Sequence, residues 1–422
     1  PYIMPPYDVP DSWLVPPIAR LKQALSLPVF AVSGISNATE AEQVLANGSA
    51  DMVAMTRAQI ADPAFANKTE AGREDEIYHC IRCNQGCVAR LFHGTSMTCQ
   101  VNPATGREGV FGPETIQMAG RAQHWVVIGG GPAGMKAAEG LAGRNHKVTL
   151  MERENQLGGQ VNQIVQLPRR DSFQWIVKDL KAQIAKLGVD IKTGHAATLA
   201  SVKAQNPDGI IVATGSTPDR SGYSDINPML ARVPGSDSDH VITVNEVLGK
   251  PDSIGKRVLI VDEHGTRYSA GIAELLSERG HQVHVVTRWN ALFHKLATTL
   301  DQPVVYANLF KAGMTHTLNS WISAIHDNSV DIFNLYTGET GTLEGIDSVV
   351  MAVRHLPMED LYFELKAHMA NVHRVGDCVT PRMTDHAIFE GFLAGREIFD
   401  NWKRYIEPGS LEQFNPEQLR AL

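Results

Sequence analysis

Between Trp125 and Glu152 the sequence sets out an apolar strand, a glycine turn, a helix, a second strand and an acid, in that order. Trp125-Val126-Val127-Ile128 reads as a buried strand, and Gly129-Gly130-Gly131-Pro132-Ala133-Gly134 follows it as G-x-G-x-x-G. Each glycine meets a separate steric demand. Gly129 permits the tight turn and Gly131 lets backbone approach a pyrophosphate. Gly134 lets the helix pack on the sheet with its positive end at the phosphates. Lys147 to Met151 is the next strand, and Glu152 lies 18 residues after Gly134, placed to accept ribose hydroxyls, with Arg153 beside it. A glycine pattern alone is a weak signal. In register with strand, helix and acid it commits this stretch to a dinucleotide-binding βαβ unit.

Two further pieces extend that site. Ala213-Thr214-Gly215 ends the strand 209–213, as a backbone turn near a dinucleotide requires. Gly376-Asp377 ends the late strand 372–375 and offers a carboxylate to the ribityl chain of a flavin. Residues 172–187 form an amphipathic helix with Phe173, Ile176, Leu180, Ile184 and Leu187 inward, and 384–402 a last helix.

The second constraint is a cysteine cluster. Cys80, Cys83, Cys87 and Cys99 follow C-x2-C-x3-C-x11-C. Three thiolates within eight residues wrap one corner of a cuboidal cluster and the fourth closes it from a following loop. Thiolate softness suits zinc as well, so a structural zinc site is the alternative. Four of five cysteines in one cluster indicate metal ligation in a reducing, cytoplasmic compartment rather than a disulfide framework. Cys378 stands apart as a buried cysteine.

Before the cysteines, an amphipathic helix over 12–27 (Leu14, Ile18, Leu21, Leu25 inward) leads to strand 28–32. A helix over 38–47 with Ala41, Val44 and Leu45 inward and a strand over 51–55 complete a βαβ unit. A second such unit begins at Arg257, with strand 257–261, helix 269–279 and strand 283–287. Aligned by strand ends, Asp262, His264 and Arg267 stand where Gly129, Gly131 and Gly134 stand in the first, so a carboxylate would face the phosphates. Arg288 reads as a surface arginine.

A formal charge of −8 carries no basic footprint for nucleic acid. No apolar run is long enough to span a bilayer. At 422 residues, two or three domains are expected.

The block Cys80-Ile81-Arg82-Cys83-Asn84 with Cys87 and Cys99, the turn 128–134, Leu157-Gly158-Gly159-Gln160, Ala213-Thr214-Gly215 and Gly376-Asp377 together resemble the C-terminal two-thirds of the iron–sulfur branch of the old yellow enzyme family. That branch includes 2,4-dienoyl-CoA reductase, trimethylamine dehydrogenase and N-methyl amine demethylases. The resemblance implies an α/β fold: the C-terminal end of a (β/α)8 barrel, a [4Fe–4S] linker, then two nested Rossmann-like dinucleotide-binding modules. The implied domains are 1–73 for the last two barrel strands, 74–120 for the cluster segment, 121–250 with 345–402 for FAD or ADP, 251–344 for a degenerate NAD(P)-binding-like module, and 403–422 for a tail. It further implies [4Fe–4S] ligation by Cys80, Cys83, Cys87 and Cys99. FAD or ADP would rest on Gly129, Gly131, Pro132, Ala133, Gly134, Glu152, Arg153, Gly159, Gln160, Ala213, Thr214, Gly215, Gly376 and Asp377. The phosphate of FMN would rest on Ser33, Gly34, Thr56 and Arg57, although the family usually has glycine where Thr56 stands.

The earlier barrel strands, which carry the catalytic residues, would come from further chain or a partner chain. The loss of the second module's glycines points to the dehydrogenase type: a homo-oligomer passing electrons from a small N-methylated amine or amino acid, through FMN and the cluster, to an electron-transfer flavoprotein or similar carrier. Leu91, with Phe92 beside it, stands where the trimethylamine dehydrogenase type has a tryptophan, which disfavours trimethylamine itself. An NAD(P)H-dependent enoate or dienoyl-CoA reductase and an electron-transfer subunit without its own substrate site are the alternatives.

Overall fold

A computed structural model describes residues 2–249 and 253–397. The expected tail over 403–422 and the end of the last helix lie outside the described residues. In chain order the elements used below are α1 (Val15–Ala24), β1 (Phe30–Ala31), α2 (Ala38–Ala46), β2 (Met52–Val53), α3 (Thr56–Ala61), β3 (His124–Ile128), α4 (Pro132–Gly143), β4 (Lys147–Met151), α5 (Gln174–Lys186), β5 (Asp190–Lys192), β6 (Gly209–Val212), β7 (Ser216–Pro218), β8 (Val241–Thr243), β9 (Arg257–Asp262), α6 (Arg267–Glu278), β10 (Gln282–Thr287), α7 (Gln302–Lys311), β11 (Thr315–Thr317), β12 (Ser320–Ile325), β13 (Ser329–Asn334), β14 (Thr340–Glu344), β15 (Ser348–Ala352), β16 (His355–Pro357), β17 (Val372–Arg374) and α8 (Thr384–Gly395). No helix among the described residues is long and apolar enough to cross a membrane.

The chain forms two compact units. Among the described residues, one comprises 14–161, 173–216 and 357–397. Its main sheet is parallel, in the order β17-β6-β3-β4-β5. β3, β4 and β6 are buried almost throughout, the pattern of a parallel sheet covered on both faces. Gly140 on α4 and Gly395 on α8 meet backbone to backbone, where a Cβ on Gly140 would come within 2.7 Å of the Gly395 Cα. The amphipathic helix forms as α5, with Ile176, Leu180 and Ile184 buried; Leu187 is its C-cap and is exposed. β1 and β2 pair in parallel as a separate two-stranded sheet over a small core of Ala31, Ile35, Val44 and Ala50. There Leu21, Leu25 and Leu45 are exposed, contrary to their expected inward placement. With only two short strands beneath them, α1 and α2 have a narrow apolar surface to cover.

The other unit comprises 1–13, 162–172 and 217–356. Its sheet, β11-β10-β9-β15-β8, is wholly parallel, and a three-stranded antiparallel sheet, β12-β13-β14, packs with it around Leu259, Val261, Trp321, Ile322 and Val349. The divide differs from the expected domain limits at 250/251 and 344/345. β8 and β15 pair with each other and β15 pairs with β9, so both belong to the second sheet. The chain passes between units near β7 and β16 instead. Residues 2–13 fall in this unit and not with the remainder of 1–73.

Candidate functional site: a dinucleotide cradle and a cysteine-lined cavity

The glycine turn has the expected sterics. Gly129 has φ +108°, and a Cβ there would overlap the carbonyl oxygen of Ala213. A Cβ on Gly134 would overlap the carbonyl oxygen of Gly129. Gly131 differs, since a Cβ there would meet nothing within 4 Å. It borders open space ahead of α4, which begins at Pro132 and whose N-terminus no side chain caps. The first-turn amides of Ala133 and Gly134 and the helix dipole thus border that space, an arrangement that favours an anion.

Glu152 is buried and already engaged: Oε2 accepts from the amide of Gly130 at 2.6 Å and Oε1 from that of Glu154 at 2.8 Å. Its remaining acceptor capacity is held in one orientation. Arg153 lies at the surface against Glu154. The amide of Gly158 donates to the carbonyl of Gly130 at 2.9 Å, and a Cβ on Gly159 would sit 3.1 Å from the Gly131 Cα.

The other expected residues gather at the same carboxyl edge of the sheet. Gln160 Nε2 donates to Ser216 Oγ at 3.0 Å, and Ser216 Oγ donates to Asp377 Oδ2 at 3.0 Å. The Arg382 amide donates to Asp377 Oδ1 at 3.1 Å. Burial holds the Asp377 carboxyl above the usual range, partly offset by that amide. Gly376 has φ +73° and its amide donates to Glu390 Oε2 at 2.7 Å; a Cβ there would press on Ala133. Thr214 Oγ1 donates to the Met358 carbonyl at 2.6 Å, and the Gly215 carbonyl accepts from the Met358 amide. Ser216, Arg382 and Glu390 are participants that sequence reasoning missed. Ser216 directly follows the Ala-Thr-Gly turn, the one signal that could have exposed it.

Cys80, Cys83, Cys87 and Cys99 line one small cavity. Arg82 (φ +53°) and Asn84 (φ +56°) bend the loop on either side of Cys83, and a π turn over 85–89 carries Cys87. Gly86 lets Cys99 close in, because the amide of Thr98 donates to the Gly86 carbonyl at 2.7 Å and a Cβ would lie 2.7 Å from the Thr98 carbonyl oxygen. Backbone amides point at the sulfurs: Arg82 at Cys80 (3.4 Å), Val88 at Cys87, Val101 and Asn102 at Cys99. Burial pushes the Cys87 thiol up and the Cys99 thiol to about 12. Among the described residues, no three His, Cys, Asp or Glu side chains converge on a point for a single metal ion.

The FMN-phosphate candidates sit at the carboxyl ends of β1 and β2. Ser33 and Gly34 take left-handed conformations (φ +80° and +84°) and Thr56 opens α3. The Arg57 guanidinium donates to Asn84 Oδ1 at 2.7 Å and lines the cysteine cavity. Leu91 and Phe92, on the short helix after Cys87, are each about 60% exposed.

In the second unit the strand-end alignment shifts by one. Ile128 and Asp262 occupy equivalent last positions of β3 and β9, pairing with Val212 and Ala352 respectively, so Gly129 matches Glu263. The loop to α6 is one residue longer, and Ser269, not Arg267, takes the place of Gly134 as third helical residue. Asp262 therefore turns away from any phosphate: it is fully buried and accepts from the Gly265 amide at 3.0 Å. Burial raises its carboxyl to about 6, against the pull of Ser269 and the loop amides. A Cβ on Gly265 would overlap the His294 ring, which packs on Trp289 at 4.2 Å. Arg288 is more engaged than a surface arginine, paired with Asp225 and 3.5 Å from Glu263. Arg267 binds Asp301 at 2.5 Å and lies over the ring of Tyr7, as does Arg170, 4.4 Å from the ring centroid.

Residues 123–391 match the model of the family described as pyridine nucleotide-disulphide oxidoreductase. The chain belongs to that family. Residues 13–76 match the NADH:flavin oxidoreductase / NADH oxidase family. The bilirubin reductase of Mediterraneibacter gnavus is 32% identical over 90% of this chain and 56% of its own length. The N,N-dimethylglycine/sarcosine dehydrogenase of Chromohalobacter salexigens is 29% identical over 92% of this chain and 60% of its own. Among solved structures, the 6-hydroxypseudooxynicotine amine oxidase of Pseudomonas geniculata N1 superposes with a TM-score of 0.86 at 27% identity, over 93% of this chain and 60% of that one. The chain thus spans less than two thirds of the length of these relatives. The two matches in tandem bear out the old yellow enzyme branch, with this chain as a C-terminal portion, and the α/β class with parallel Rossmann-like sheets.

Proposed function

We propose that this chain is the cofactor-bearing portion of a flavoprotein that oxidatively demethylates an N-methylated amine or amino acid. The observation that carries the reading is the contrast between its two modules. The first keeps an open cradle at Gly131, an uncapped helix N-terminus and an anchored acid. The second has Glu263 at the first loop position, His294 against Gly265, and Arg288 occupied by two carboxylates. Carboxylate there repels a pyrophosphate, and no arginine remains spare for a ribose phosphate at that strand end. A substrate amine, rather than a pyridine nucleotide, is then the electron source. The relative named as an N,N-dimethylglycine/sarcosine dehydrogenase supports the same direction.

The residues present fit FAD or its ADP part in the first module: Gly129, Gly131 and the α4 N-terminus at the phosphates, Glu152 at the ribose, Gln160, Ser216 and Asp377 beyond. Cys80, Cys83, Cys87 and Cys99 fit a [4Fe–4S] cluster, with four soft donors around one cavity and backbone N–H groups aimed at sulfur. Ser33, Gly34, Thr56 and Arg57 fit the phosphate end of FMN. Flavin supplies two-electron oxidation of the N-methyl C–H bond and the cluster supplies one-electron exit to a carrier protein. The overall change is R–NH–CH3 + H2O → R–NH2 + HCHO + 2e⁻ + 2H⁺. Leu91 and Phe92 offer an apolar wall, without a tryptophan face for a small methylated ammonium, so bulkier N-methylated amino acids, whose nitrogen keeps the lone pair this oxidation needs, are the substrate class.

Formaldehyde release tests this. The full-length native protein with an artificial electron acceptor should release formaldehyde from N-methylated amino acids at least tenfold faster than from trimethylamine. Equal turnover of trimethylamine would contradict the substrate assignment. The likeness to bilirubin reductase favours a second reading, reduction of an unsaturated substrate by a nicotinamide nucleotide. That reading requires the second module to bind the nucleotide.

A further inference from the structure

We infer that Arg57 sets the electron affinity of the cluster that the four cysteines hold, a role separate from binding a flavin phosphate. The inference rests on the cluster reading above and deepens it. Arg57 is the first residue after the opening threonine of α3, distant in sequence from the cysteine loop. Its guanidinium nevertheless donates to Asn84 Oδ1 at 2.7 Å, and its side chain lines the cavity with all four cysteines. Asn84 is almost wholly buried and left-handed, between Cys83 and Cys87, and its carbonyl accepts from the Ala89 amide at 2.9 Å, closing the turn that carries Cys87. The bond therefore fixes a positive charge at one wall of the cavity and steadies the turn of one ligand. Arg82, also buried, is a cation of the cysteine loop itself.

A [4Fe–4S] cluster with four thiolates carries a net charge of about −2 oxidised and −3 after taking one electron. A cation held at the cavity wall stabilises the −3 state more than the −2 state, so it raises the reduction potential and eases transfer from the flavin. An arginine's planar guanidinium, bonded here to Asn84, holds its charge in place, whereas a lysine supplies the charge with less fixed geometry. The location is consistent with such a function, because Arg57 also follows β2, where the flavin phosphate is expected. Arg57 thus belongs to both candidate sites, the strand end proposed for the flavin phosphate and the cysteine cavity.

The test is a reductive titration of the full-length native protein with dithionite and redox mediators, following the EPR signal of the reduced cluster. At the potential where the unaltered protein is half reduced, Arg57→Gln should show a reduced-to-oxidised ratio about tenfold lower, equivalent to about 59 mV for one electron. Arg57→Lys should stay within a few-fold of the unaltered protein. Asn84→Gly, which tolerates the left-handed backbone but removes the acceptor, should shift the ratio the same way by less. It reports on the tether should Arg57→Gln lose its cluster. An unchanged midpoint in Arg57→Gln, or in Asn84→Gly if the first variant cannot hold iron, would overturn the inference. Absence of iron and acid-labile sulfide from the unaltered protein would overturn the cluster reading itself and the inference with it.

Discussion

At the scale of single residues, the three glycines of the turn make separable predictions. Gly134→Ala drives a methyl into the Gly129 carbonyl, so it should cost about 1–3 kcal/mol of stability and abolish nucleotide retention, read by thermal melting and by chromatography of released cofactor. Gly131→Ala meets no protein atom, so the melting point of the cofactor-free protein should hold while nucleotide affinity falls at least tenfold. Equal melting losses in both would contradict the assignment of Gly131 to the ligand's space. Asp262 carries a pH prediction. Its folded carboxyl titrates near 6 against an ordinary value of 3.8, because burial disfavours the charge. The folded state therefore holds this proton more tightly than the unfolded chain. The associated stability is present below about pH 4, drains away as pH rises to about 6, and amounts to roughly 3 kcal/mol at most. Asp262→Asn should remove that fall, shown by urea midpoints at pH 4.5 and 7.5 that differ less than in the unaltered protein; an unchanged pH difference would rule out Asp262 as its source. Sequence spacing placed Asp262 against the phosphates. The structure turns it inward because the loop to α6 is one residue longer than the loop to α4, which alignment by strand ends alone cannot detect.

At the scale of elements, α5 shows what periodicity can and cannot reveal. Its apolar stripe was legible, and Ile176, Leu180 and Ile184 are buried as that stripe requires. Its other face was not legible, because it is polar yet engaged. Trp175, Asp179, Gln183 and Lys186, three or four residues apart, all grip the segment leading into the cysteines. Trp175 stacks on His79 at 4.0 Å, Asp179 accepts from the His79 amide at 2.7 Å and faces its ring at 3.0 Å, Gln183 donates to the Glu76 carbonyl at 2.9 Å, and Lys186 pairs with Glu76. Nothing in a polar stripe distinguishes such a grip from a solvated face. Asp179→Ala strands the half-buried His79 amide and should cost about 1 kcal/mol locally. Hydrogen exchange at 76–80 should speed up at least tenfold while the β3 and β9 amides keep their protection. Uniform acceleration would mean that Asp179 supports the whole unit rather than the cysteine segment. β12, β13, β14 and α7 were not foreseen at all. Ser329–Asn334 alternates only weakly and β14 carries Thr, Gly and Glu, so the antiparallel sheet is held by pairing and by packing of Trp321 and Ile322 rather than announced by pattern.

At the scale of the whole molecule, the fold class, the two parallel sheets and the edge where the first site lies were readable, because strand, glycine and acid recur at fixed offsets. The boundary between units was not, since β8 and β15 are separated from β9 by sequence and joined to its sheet only by hydrogen bonding. The same holds for residues 2–13 and 162–172, which enter the second unit through Tyr7, Asp8, Arg170 and Glu274: Asp8 bonds Arg170 at 2.8 Å and Arg170 reaches Glu274 at 3.3 Å. No periodic signal encodes that buried network. The central claim concerns electron entry, namely that amine and not nicotinamide reduces this protein. The most direct measurement is an anaerobic titration of the full-length native protein, following flavin absorbance with NADH, NADPH and then an N-methylated amino acid. The account predicts no bleaching with either nucleotide and bleaching on adding the amine. Rapid bleaching by NADH or NADPH would contradict it and assign the second module a working nucleotide site.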